Sequence, residues 1–174
     1  MAHSGAILGA ILAGGKASRF GSDKAQAEFA GKRLIDHVAD SLGAQTTALI
    51  ICGRDEPGFG CVPDQPEAGL GPLGGLLAAL RFAEGNGFTH VLLAGVDVPN
   101  LPTNLAQQLA GTGAVIAASQ PVVGLWPVAL EAGLAEFIAE GGRALYGFAE
   151  KVGARRVEIS PPLLNVNRPE DIPT

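Results

Sequence analysis

Apolar residues recur along this chain in two rhythms. Unbroken runs at Ala6 to Leu12 and Thr47 to Cys52 predict strands buried in a sheet, and Thr89 to Gly95 is the strongest strand in the chain. Shorter strands are predicted near Cys61-Val62 and over Ala114 to Ala118, Pro121 to Trp126 and Arg155 to Ile159. Elsewhere the period becomes helical. Over Gly31 to Leu42, Leu34, Ile35, Val38, Ala39 and Leu42 return at helical spacing, with Lys32, Arg33, Asp36 and Asp40 between them. Pro72 opens a helix running to Glu84, with Leu73, Leu76, Leu77 and Leu80 on one side. Thr103 is placed to cap a short helix ending at Leu109, and Pro127 to Glu140 and Arg143 to Val152 are the remaining helices. Pro63 to Gly71, with two prolines and two glycines, is loop.

Strands alternating with helices predict an α/β fold with a mostly parallel sheet covered on both faces. One strand should run against the others, because too few residues separate Ala118 from Pro121 for a crossover helix. No repeat or linker interrupts the pattern, so residues 1–174 are expected to form one domain. Ligands of such sheets bind beyond the carboxyl ends of the strands. The loop after the first strand and the residues after the Thr89 to Gly95 strand are therefore expected to share one crevice.

Composition narrows the picture. At 47% hydrophobic and 17% charged residues the chain is a folded protein rather than a disordered one. A net charge of −5 leaves no general basic surface to follow a nucleic acid, so any phosphate must be bound locally. Cys52 and Cys61 form neither a disulfide framework nor a metal-site spacing and are expected to be reduced packing residues. Met1 to Gly5 is a short polar lead-in rather than a signal peptide, and no long apolar span follows. The expectation is a soluble, cytoplasmic protein without a membrane partner.

Positive charge is concentrated where the backbone is most permissive. Gly14 and Gly15 come one residue after the first strand, and Lys16, Arg19 and Lys24 fall within nine residues, where even spreading of 12 Lys and Arg would place fewer than one. Paired glycines let several N–H groups point at a ligand, and the cations add charge, so the stretch reads as an anion cradle or, more plainly, as a solvated loop. It is neither a Walker A loop nor a G-x-G-x-x-G dinucleotide motif. Asp97 stands at a strand end before Val98-Pro99, where Pro99 holds the turn extended. A carboxylate fixed there is either a turn residue or a ligand for a hard cation such as Mg²⁺, which takes one or two carboxylates plus phosphates and water. The three histidines form no constellation, and no serine nucleophile elbow is present.

The stretch Leu12-Ala-Gly-Gly-x-x-Ser-Arg-x-Gly-x-Asp-Lys24 resembles the signature of the nucleotidyltransferase superfamily, and of its molybdenum cofactor guanylyltransferase (MobA) branch in particular. Two further segments are similar to that branch: Gly71-Pro-Leu-Gly-Gly75, with Asp64 seven residues before it, and Leu164-Asn-Val-Asn-Arg-Pro-Glu-Asp171. The resemblance runs from residue 12 to 171 and implies a three-layer, Rossmann-like nucleotidyltransferase fold. It implies transfer of GMP from MgGTP to molybdopterin cofactor, with release of pyrophosphate. Leu12, Ala13, Gly14, Gly15, Lys24, Cys52, Asp64, Gly71, Gly75 and Asp97 would then contact the nucleotide, Arg19, Lys24 and Asp97 would act in catalysis, and Asp97 would hold Mg²⁺. Asn165 and Asn167, on one side of an extended segment, would face the molybdopterin. Transient contact with proteins that deliver or accept the cofactor is implied as well.

Two departures bear on selectivity. Cys52 occupies a strand-end position where relatives often carry an asparagine that contacts guanosine, and the Ser119-Gln120 connection is several residues shorter than usual. Transfer from CTP, transfer to a sugar phosphate, and a non-catalytic nucleotide-binding module are the alternatives that remain open at this point.

Overall fold

The computed structural model describes residues 5–14, 26–166 and 169–171. Its centre is a seven-stranded sheet. The strands are β1 (Ile7–Leu12), β4 (Ala48–Cys52), β5 (Gly60–Val62), β6 (His90–Gly95), β7 (Val115–Ala117), β8 (Gln120–Pro127) and β9 (Arg155–Val157), in the order β5-β4-β1-β6-β8-β7-β9. Strand β8 runs antiparallel to both its neighbours, and the other pairings are parallel. The expected α/β fold with one antiparallel strand is thus what forms. Only Ala118 and Ser119 join β7 to β8, the tight connection anticipated from the spacing.

Alternation along the central strands builds a core on each face. Leu8, Ala10, Ile50, Cys52, Val91, Leu93 and Trp126 pack on α2 (Pro72–Gly85), α4 (Glu131–Ala139) and α5 (Leu145–Lys151). Ile11, Ala13, Ile51, Leu92 and Ala94 face α1 (Leu34–Gly43) and the short α3 (Leu105–Gln108). Each fully buried leucine of α2 contributes about 1.5–3 kcal/mol by leaving water, and Leu73, Leu76, Leu77 and Leu80 all do so. Cys52 and Cys61 are unlinked and pack on opposite faces of the sheet.

Three expectations are corrected. Lys32 and Arg33 are not helical: they form strand β3, paired with β2 (Glu28–Phe29), and α1 begins at Leu34. The cause is a turn at Ala30 and Gly31, whose φ angles of 52° and 80° reverse the chain in the sense a two-residue hairpin requires. Thr103 does not cap α3; Asn104 occupies the cap position, and the Leu105 N–H bonds the Pro102 carbonyl at 3.2 Å, a tight turn that delays the helix. The helix expected from Pro127 starts at Glu131 after a 3₁₀ turn, because Pro127 still belongs to β8 and pairs with His90.

Candidate active site

Strands β1, β4 and β6 end side by side, with Leu12 level with both Cys52 and Gly95. The chain leaves each at that edge, and the ends of β1 and β4 together with the segment from Asp64 to Pro72 enclose a cleft of about 460 Å³. Leu12, Gly14, Cys52, Asp64 and Gly71 line it, so the loop after β1, the end of β4 and the segment before α2 meet there. Gly53, Ala68, Gly69 and Pro72 complete the lining and were not anticipated. Gly53 carried the same signal as Gly14, a glycine just after a buried strand, and has a φ of 92° that an L side chain would resist. The two loops touch backbone to backbone: a Cβ on Gly53 would lie 2.9 Å from the Gly14 Cα and 3.1 Å from Asp64 Oδ1.

Gly75 sits beneath the cleft rather than in its lining. A Cβ there would come within 2.2 Å of Leu12 Cδ2 and 3.5 Å of the Cys52 Cβ, so the bare backbone of α2 seats the floor. Ala13 points into the core, and its N–H donates to the Cys52 carbonyl at 3.1 Å. That N–H is therefore committed to the sheet, and Gly14 is where the backbone of this loop first reaches the cleft. Gly15, Arg19 and Lys24, all singled out in the sequence, lie outside the described residues, as does Asn167.

Asp97 belongs to the same edge. A Cβ on Gly95 would lie 2.5 Å from Asp97 Oδ1, so the carboxylate lies back over the end of β6, beside the strand that carries Leu12. The absent side chain of Gly95 makes room for it. The Val166 N–H donates to the Asp97 carbonyl at 2.7 Å, which brings the C-terminal segment against this turn. There Leu164 and Val166 pack with Leu34, Ala27 and Phe29, and the intervening Asn165 is exposed. Asn100, not noticed in the sequence, bonds the same segment through both ends of its amide.

Burial sets the ionisation of two lining groups. The Asp64 carboxyl is pushed above its ordinary range by desolvation. The Cys52 thiol is pushed up to about 12, first by burial, then by the Asp64 and Cys61 charges, so it stays protonated. In the loop after β4, the buried Glu56 carboxylate accepts from Arg33 Nη1 at 2.8 Å and from Gln26 Nε2 at 3.1 Å, with Arg54 at 3.5 Å. Arg33 also grips Asp36, with Nε–Oδ2 at 2.7 Å and Nη2–Oδ1 at 3.0 Å. The two acids raise the affinity of the guanidinium for its proton, and Arg33 holds the Asp36 carboxyl below its ordinary range. This network joins Gln26, two residues after Lys24, to the loop after β4.

No group of three or more His, Cys, Asp and Glu among the described residues is arranged to hold a metal ion. The Asp97 turn presents a single carboxylate, and a hard cation held there would take most of its ligands from substrate phosphate and water. No helix among the described residues is long and apolar enough to cross a membrane.

Comparison with known proteins agrees with this geometry. A molybdenum cofactor guanylyltransferase of Cereibacter sphaeroides is 39% identical over 180 residues, covering 95% of this chain and 93% of that protein. One of Rhizobium leguminosarum is 33% identical over 190 residues, with 95% and 90% covered. The crystal structure of molybdopterin-guanine dinucleotide biosynthesis protein A from Archaeoglobus fulgidus superposes with a TM-score of 0.77 at 22% identity over 95% of this chain and 94% of that one, a likeness of fold. Residues 9–157 match the model of the MobA-like NTP transferase domain, and the chain belongs to that family.

Proposed function

We propose that this nucleotidyltransferase moves GMP from MgGTP to the terminal phosphate of molybdopterin cofactor, releasing pyrophosphate and forming molybdopterin guanine dinucleotide. What carries the reading is the convergence of Leu12, Gly14, Cys52, Asp64 and Gly71 on one cleft, next to a strand end that presents Asp97. In it the nucleoside lies along Asp64, Gly53 and Gly71, and the triphosphate runs toward Gly14 and Asp97. A phosphate oxygen of the acceptor attacks the α-phosphorus, a new P–O bond forms, and the bond to the β-phosphate breaks with its electron pair leaving on pyrophosphate. The nucleophile is already an anion at neutral pH, so no general base is needed.

Catalysis is then positioning and charge neutralisation. Gly14 lets the phosphates approach the backbone, Arg19 and Lys24 offset charge on the leaving pyrophosphate, and Asp97 supplies the carboxylate for Mg²⁺. When bound, that cation withdraws charge from the phosphate oxygens. Asn165, exposed beside the Asp97 turn, contributes to the acceptor side with Asn167. In this reading the reaction takes place in the cytoplasm, with transient contact to proteins that deliver and receive the cofactor. A protonated thiol at Cys52 lacks the paired donor and acceptor of an amide, which favours as second reading a different base, with cytosine the first to test.

Pyrophosphate release measured with each of the four NTPs, with and without molybdopterin, tests the assignment. The expected result is molybdopterin-dependent release from GTP that Asp97→Ala lowers by about 100-fold or more while the fold still melts cooperatively. Preference for CTP would overturn the base assignment, and full activity in Asp97→Ala would overturn the metal site.

A further inference from the structure

The residues before Asn165 cross the carboxyl-end edge as an extended strap, and side-chain amides grip it at two points. Gln108 does so first: Nε2 donates to the Ser160 carbonyl at 2.8 Å and Oε1 accepts the Ser160 N–H at 3.0 Å. Asn100 repeats the arrangement nearer the cleft. Its Nδ2 donates to the Pro162 carbonyl at 3.0 Å, and its Oδ1 accepts the Leu164 N–H at 2.7 Å. Two residues on, the Val166 N–H reaches the Asp97 carbonyl. The backbone groups of 162, 164 and 166 therefore all turn toward the loop that carries Asp97, as alternation in an extended segment allows.

The side chains complete the restraint. Leu164 and Val166 enter the small apolar cluster formed with Ala27, Phe29 and Leu34, which leaves Asn165 exposed between them. The strap is thus held from one side by the Asp97 turn and from the other by the segment that leads into α1. Asn100 lies only three residues past Asp97, and its one amide fixes the spacing between the turn and the strap together with the Val166–Asp97 backbone bond. Half-buried and bonded in both directions, it has little freedom to do anything else.

We propose that Asn100 is a positioning residue that sets the acceptor-side strap against the metal-binding turn. It touches neither substrate in this account. It keeps the Asn165 segment in register with Asp97, so that the acceptor phosphate meets the α-phosphorus at attacking distance. The proposal rests on the functional reading above. A misplacement of about 1 Å in such a pair costs roughly 100-fold in rate, so the clamp matters to catalysis even though its two hydrogen bonds are ordinary ones.

The test compares Asn100→Ala with Gln108→Ala, which removes the same kind of clamp from the same strap farther from the cleft. With GTP and molybdopterin as substrates, Asn100→Ala is expected to lower kcat/KM for the acceptor by about 10- to 100-fold. Its affinity for GTP, measured without acceptor, should stay within about twofold of wild type, and Gln108→Ala should change neither value by more than about threefold. Asn100→Asp, which keeps the acceptor for the Leu164 N–H and loses the donor to Pro162, should fall between. Amide exchange followed by NMR supplies a readout independent of turnover: Leu164 and Val166 should exchange faster in Asn100→Ala. Unchanged acceptor kinetics and unchanged exchange would overturn the proposal, as would an equal loss in Asn100→Ala and Gln108→Ala. A wild-type protein inert toward every NTP and acceptor would instead sink the functional reading, and the coupling with it.

Discussion

Glu56 gives the most quantitative prediction. Its side chain is 3% exposed, and its carboxylate is the common acceptor for Arg33, Gln26 and Arg54. Breaking a buried ion pair ordinarily costs about 3–5 kcal/mol, because the abandoned partner stays buried and unpaired. Here the partner is neither abandoned nor fully buried, since Arg33 keeps both bonds to Asp36 and is 33% exposed. The cost of Glu56→Ala reduces to one charged hydrogen bond of about 1.5–3 kcal/mol, the weaker Gln26 contacts and the longer Arg54 pairing at 3.5 Å, offset by no longer having to desolvate a carboxylate. The net is about 2 kcal/mol, or roughly 4–8 °C in Tm for a chain of this length. Glu56→Gln keeps the shape and an acceptor and should lose about half as much. Asp40→Ala is the control: its partner Lys32 is 43% exposed and Asp40 itself 68%, so the loss should stay within about 0.5 kcal/mol. Urea and thermal melts at 0.1 and 1 M salt read all three, and the Glu56 deficit should survive the added salt because the pair is buried. A Glu56→Ala protein within about 0.5 kcal/mol of wild type, or an Asp40→Ala protein equally destabilised, would refute the reasoning.

Other expectations follow from the cleft. Gly75→Ala gains helix propensity of about 0.5–1 kcal/mol, but its Cβ would displace Leu12 toward the nucleotide. The KM for the NTP should rise severalfold with a stability change of about 1 kcal/mol or less, and an unaltered KM would contradict the placement of Leu12 on the floor. Asp64→Asn should show an inverted pH dependence. Desolvation raises the folded-state pKa of Asp64 above its unfolded value, so the folded state binds the extra proton, and the burial penalty grows as pH climbs from about 4 through the raised value. The Tm advantage of Asp64→Asn over wild type should therefore be small near pH 4 and larger at pH 7, and a deficit that deepens with pH would contradict it.

What the sequence disclosed and what it withheld divide along physical lines. Strands β1, β4 and β6 were legible because a strand covered on both faces must be apolar throughout, and their order of appearance placed Gly14 and Asp97 at one edge. The hairpin before α1 was not legible, since Lys32 and Arg33 fit the polar face of a helix as well as an edge strand, and only the backbone at Ala30-Gly31 decides between them. Strand β8 was expected to pair with β7, its neighbour in sequence. Its second pairing, with β6, depends on contacts some 30 residues apart that no local pattern encodes. The same holds within the site. Leu12, Gly14, Cys52, Asp64 and Gly71 stood out through motifs, but Asn100 and Glu56 are ordinary polar residues whose partners are remote, 64 residues off for the Leu164 bond and 30 for Gln26. The Ala13 N–H looked available beside Gly14, and only the register of β1 on β4 shows it spent on the sheet.

The proposed chemistry depends on where nucleotide and metal sit, and a crystal structure of the protein with MgGTP measures that directly. The prediction is a guanosine in the cleft between Gly53, Asp64 and Gly71, a triphosphate passing Gly14, and a cation about 2.1 Å from a carboxylate oxygen of Asp97. A nucleotide bound elsewhere, or a cation coordinated without Asp97, would contradict it.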